Sequence, residues 1–143
     1  MIKLIVNVSV LLFSQSIMSE GFDYYAHMNK YAKCEALQNV VANIASESEQ
    51  EFYQHELHHA SLDSRIIALE FAKAGRYEKG LVDELYLTYL DEYRDLLKKS
   101  EEVEVFVASL SPHVEKCREL NEMQVDIILR KREEKSKPER YLQ

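Results

Sequence analysis

Tryptophan is absent from this chain of 143 residues, and glycine, proline and cysteine number only three, two and two. So few turn formers exclude a many-stranded architecture, because tight hairpins draw on Gly and Pro for their backbone angles. No strand can be picked out. A Cys-x-x-Cys pair is missing, which excludes a thiol redox motif, and so is Cys-x-x-Cys-His, which excludes covalently attached haem. Positive charge is not in excess either: 18 basic side chains face 25 acidic ones, a formal net charge of −7. That balance argues against nucleic acid or an anionic membrane as the partner. No apolar run reaches the roughly 20 residues that span a bilayer.

The apolar run that is present, Leu4 to Phe13, is interrupted only by Asn7 and Ser9. It follows one positive charge at Lys3 and precedes the small residues Ser14, Ser16 and Ser19, which is the layout of a cleaved export signal. Residues 1–19 are therefore read as a signal peptide removed after Ser19 or Ser16, with no stable membrane anchor left behind. The mature protein would be periplasmic or secreted. Losing Lys3 leaves 17 basic side chains against 25 acidic ones among the remaining 124 residues, a length that suits one domain.

In an exported protein an even number of cysteines implies a disulfide. Cys34 and Cys117 allow one pairing within the chain. The closed loop of about 84 residues corresponds to about 4.5 kcal/mol of stabilisation in the chain-entropy treatment.

Leu, Glu, Ala and Lys dominate what remains, so the expected class is all-α. Helix one should run from Asp23 to Ala45, with Tyr24, His27, Tyr31, Cys34, Leu37 with Gln38, Val41 and Ile44 on one face. A break is needed at Ser46 to Glu49, where Ser48 and Glu51 make a capping box. Helix two should end on Gly75 as a left-handed cap. Helix three starts near Leu81 and falters around Ser100, where Lys98-Lys99 gives way to Glu101-Glu102. Ser111-Pro112 reads as the N-cap and first position of the last helix. The result is an antiparallel bundle of about four helices over residues 20–129, stapled by one disulfide between its first and last helices. Residues 130–143 form a basic tail, expected to fray. With the last helix starting at Pro112, the two cysteines sit about 8 Å out of step, so that helix would overhang the first.

One pattern carries chemistry. His55-Glu56-Leu57-His58-His59 satisfies H-E-x-x-H, which resembles the helix of zinc metalloproteases, where two imidazoles hold the metal and the glutamate activates water. That resemblance covers five residues and implies His55 and His59 as ligands, Glu56 as base and Glu78 as the third ligand. The competing reading places His55 and His59 on a half-buried stripe between Phe52 and Leu62, with Glu56 and His58 nearer solvent. A di-iron bundle needs two Glu-x-x-His motifs, and Glu56 to His59 is the only one. Met28 and His113 as haem ligands would sit too far apart in an antiparallel pair. No cofactor is expected.

Nine tyrosines form the other oddity. Tyr24, Tyr31, Tyr86, Tyr89 and Tyr93 lie near the apolar stripes, where rings pack and hydroxyls reach the rim; a tyrosine-lined ligand cavity is the alternative. The run Asp91, Glu92, Asp95, Glu101, Glu102 and Glu104 reads as a solvated face, or as a docking site for a basic partner. The expected function is non-enzymatic: an exported bundle that binds another protein as an inhibitor, chaperone or assembly factor, with a zinc protein built on His55 and His59 as the second hypothesis.

Overall fold

The computed structural model describes residues 21–47 and 51–136. Among them the chain forms five α-helices: α1 (Tyr24–Glu47), α2 (Glu51–Ala74), α3 (Lys79–Lys99), α4 (Val103–Glu122) and α5 (Val125–Ser136). No strand occurs among the described residues, as the composition requires. The export segment 1–19, Ser48 of the anticipated capping box and residues 137–143 lie outside them.

The first helix is the central one. It packs most extensively against α2, next against α3, and meets α4 as well. Five consecutive residues, Cys34 to Gln38, are all buried, which a single apolar stripe does not allow. The stripe read from the sequence was thus too narrow, and Tyr24 at its start is exposed. Ala32, Ala36, Ala42 and Ala45 are buried too, and their small side chains let neighbouring helices come close. Asp23 caps this helix, its Oδ1 accepting from the Ala26 amide at 2.9 Å.

Two apolar clusters fill the interior. One surrounds the disulfide with Leu37, Val41, Leu57, Leu90 and Phe106; the other joins Met28, Tyr31, Ile67, Phe71, Val82 and Ile128. Leu120 packs against both. Tyrosine hydroxyls tie the helices together across these clusters. Tyr31 donates to the Leu120 carbonyl at 2.7 Å, Tyr89 donates to Asn29 at 2.7 Å, and the Tyr86 hydroxyl accepts from Asn39 at 3.1 Å.

The end of α2 corrects the expected cap. The left-handed residue is Arg76, with φ of 60°, and Gly75 has no positive φ. Tyr77 N–H reaches the Ala72 carbonyl at 2.8 Å and Arg76 N–H reaches that of Lys73 at 3.2 Å, the paired bonds of a Schellman cap one residue later than expected. Glycine is needed at 75 for space instead. A Cβ there would lie 2.7 Å from the Tyr24 Cβ and 2.7 Å from the Tyr77 ring. Gly75→Ala is therefore expected to destabilise the fold by about 1–2 kcal/mol, because Tyr24 Cβ is held by its own backbone and cannot swing aside. A urea melt unchanged by the substitution would refute that reading.

The break near Ser100 is present, with Lys98 and Lys99 closing α3 and Glu104 in the first turn of α4, each charge at the favourable dipole end. Ser111-Pro112 does not begin a helix. Pro112 lies inside α4, and the missing amide costs little because Ala108, Ser111 and Pro112 are all exposed and water can serve the freed carbonyl. The earlier start removes the 8 Å offset. Cys34 lies 13 residues before the end of α1 and Cys117 lies 14 after the start of α4, roughly 20 and 21 Å at 1.5 Å per residue. The disulfide joins them with a Cα separation of 5.5 Å.

The final helical arm bends at Met123 and Gln124 and continues as α5 across α2. Residues 130–136, expected in a fraying tail, are helical and tied down. Arg132 pairs with Asp63 at 2.7 Å, and Lys131 pairs with Glu70 at 2.9 Å. No helix of the described residues is long and apolar enough to cross a membrane.

Candidate functional site

Where α1, α2 and α4 meet, a polar seam replaces apolar packing. Gln38 and Ser64 are almost fully buried, and Asn121 is nearly so. In the orientation that satisfies both ends of its amide, Gln38 Nε2 donates to Ser64 Oγ at 2.7 Å and to the Ala60 and Cys34 carbonyls at 3.1 and 3.0 Å. Ser64 Oγ then donates to Asn121 Oδ1 at 3.0 Å, and Asn121 Nδ2 donates to the Ala60 carbonyl at 3.0 Å. The seam is closed on itself, so it fixes the register of three helices.

A second polar group sits between α1, α2 and α3. Glu35 is buried, its Oε1 lies 3.3 Å from Arg65 Nη1, and Arg65 also pairs with Asp83. The other Glu35 oxygen has no hydrogen-bond partner among the described residues. Burial pushes the Glu35 carboxyl up to about 7, against the opposing pull of Arg65. Sequence reading missed this cluster. Glu35 adjoins Cys34 on a helix taken to have one buried face, and only the central position of α1 puts it inside.

Beside the seam, α2 and the α4–α5 arm enclose a groove of about 540 Å³. Ala60, Val125, Ile128 and Leu129 give it an apolar floor, while Glu56, Asp63, Arg118, Glu122 and Arg132 contribute charge at the rim. Val125 and Leu129 remain 46% and 56% exposed. Helical periodicity puts Val125 and Leu129 four residues apart on the outer side of α5, with Ile128 turned into the core.

The H-E-x-x-H residues fall on this groove. His55, Glu56 and His59 line it, whereas Leu57 is buried and His58 is half-buried. The half-buried stripe expected for His55 and His59 is thus corrected: both are exposed, and Leu57 is the residue that turns inward. Glu78 is not brought to them. It lies beyond the far end of α2, and from His59 to Ala74 the helix alone spans roughly 22 Å. Asp63 follows His59 by one turn, but it is engaged by Arg132. Among the described residues no group of three or more His, Cys, Asp or Glu side chains is arranged to hold a metal. Met28 is fully buried in the second apolar cluster and His113 is exposed, so they do not share a site.

Comparison of the chain with protein-family models, with curated proteins and with solved structures gives no match.

Proposed function

We propose that this chain is an exported, disulfide-stapled helical protein that binds another protein through the groove between α2 and the α4–α5 arm. The observation that carries this reading is the groove's floor: aliphatic side chains of α5 stand half exposed beside a charged rim, the arrangement of a surface that is covered by a partner. The cross-link between Cys34 and Cys117 supports the compartment, since disulfides persist in oxidising surroundings. In such a site the apolar floor supplies the affinity, and Glu56, Arg118, Glu122 and Arg132 set which partner is accepted.

A second reading, zinc binding, is favoured by one specific placement: His55 and His59 occupy successive turns of α2 on the groove wall with Glu56. A single set of variants separates the two. Val125→Glu with Leu129→Glu is expected to abolish cross-linking capture of the partner from the native compartment while leaving zinc titration unchanged. His55→Ala with His59→Ala is expected to leave capture within about threefold of the parent protein. Sub-micromolar zinc binding that vanishes in the histidine variant, with capture indifferent to the α5 substitutions, would overturn the protein-binding reading in favour of the metal one.

A further inference from the structure

A second groove, of about 630 Å³, adjoins the first along α2. Its floor is Leu62, Ile66 and Leu69, successive positions at i, i+4 and i+7 on one helical line. Leu62 is 58% exposed. Lys79 from α3 and Lys135 from α5 stand on its walls, both exposed and neither with an ion-pair partner among the described residues. The other cations there are spent internally, Arg65 on Glu35 and Asp83, and Arg132 on Asp63. The groove is therefore an apolar strip with two uncompensated positive charges, on a chain whose net charge is −7.

The complementary surface is on the same chain. Along α3, Glu84, Leu87 and Asp91 are all exposed, Leu87 by 54%. Neither acid has an ion-pair partner among the described residues. Their spacing at i, i+3 and i+7 places two carboxylates about 10 Å apart along the helix with a leucine between them. The floor from Leu62 to Leu69 covers the same seven-residue interval. We infer that the chain forms a symmetric dimer in which the Glu84–Leu87–Asp91 stripe of each copy lies in the Leu62–Leu69 groove of the other, between Lys79 and Lys135. Each copy carries both halves of the contact, so reciprocal insertion closes the assembly after two subunits. Of the stripe, Asp91 belongs to the acidic run read from the sequence as a solvated face or a docking site for a basic partner, and Glu84 and Leu87 extend it toward the start of α3. This groove shares His59, Asp63 and Arg132 with the one proposed for another protein, but Val125 and Leu129 line only that one and Lys79 and Lys135 only this one, so the two sets of substitutions test the contacts apart.

Sedimentation equilibrium of the intact oxidised chain tests the inference. A dimer is expected whose dissociation constant rises with added salt. Lys79→Glu with Lys135→Glu, and separately Glu84→Lys with Asp91→Lys, should each weaken association at least tenfold. All four positions are exposed, and unchanged circular dichroism would confirm that the fold is retained. Mixing the two variants is the decisive arm. Each groove then faces a stripe of opposite charge, so a heterodimer should form at the affinity of the parent protein. A monomer at all concentrations, or a dimer indifferent to both pairs of substitutions, or a mixture that stays monomeric, would each overturn the inference.

Discussion

Replacing Cys34 and Cys117 together by alanine is expected to cost about 4–5 kcal/mol, the value for opening a loop with a sequence separation of 83. Single domains have a whole stability of order 5–15 kcal/mol, so the loss equals all of it at the low end and about a third at the high end. The physical reason goes beyond loop entropy. The final arm presents few buried residues to the rest of the molecule, chiefly Phe106, Leu110, Cys117, Asn121 and Ile128, and α4 makes only limited contact with α1 and α2. Without the bond, α4 is held by the packing of Phe106 and Leu110, the Tyr31 to Leu120 hydrogen bond and the polar seam at Asn121. Urea denaturation should therefore shift by about 2–3 M, and α4 amides should exchange fastest in the reduced protein. A loss below about 1 kcal/mol would mean that the arm is anchored by packing after all.

The second large effect concerns Glu35 and acidity. Its carboxyl is raised to about 7 in the fold, against roughly 4.3 in an open chain, so the folded protein holds this proton more tightly than the unfolded one. Stability from this group is then fully present at low pH and is lost as pH rises through the window from about 4.5 to 7. The charges facing Glu35 are Arg65 from α2 and Asp83 from α3. The loss amounts to about 3–4 kcal/mol by linkage. Glu35→Gln should flatten that part of the profile and, at pH 8, exceed the parent protein by about 2–3 kcal/mol. Chemical denaturation at pH 5 and pH 8 decides it. Equal stabilities of the parent protein at both pH values would refute the role given to Glu35.

Helix class and the disulfide partners were legible because both follow from composition and from counting. The break after Lys99 was legible because charge order marks helix ends. Other features were hidden for identifiable reasons. Ser111-Pro112 has the residues of a helix start, yet on a solvent-facing surface proline is tolerated mid-helix, and local sequence does not say which way a surface points. Gly75 advertised a left-handed cap, but Arg76 adopts that conformation and the glycine makes room for Tyr24 and Tyr77, a tertiary demand. Burial of Glu35 could not be read from a single helix, since it depends on α3 closing the third side of α1. The histidine motif was visible as letters; that His55 and His59 share a groove with Val125 and Leu129 required the bend at Met123 and Gln124, where no glycine or proline signals a turn.

The central position of α1 also orders events in time. Translation delivers the chain N-terminus first, so the helix that will be surrounded is made before anything that surrounds it. At about 5–20 residues per second, the 83 positions between the cysteines take roughly 4–17 s to synthesise. Throughout that interval Met28, Tyr31 and Leu37 have no α4 to cover them, and the Cys34 thiol has no partner. The nascent protein is therefore most vulnerable to aggregation and to mispaired oxidation early, and its correct cross-link can form only when assembly is almost complete.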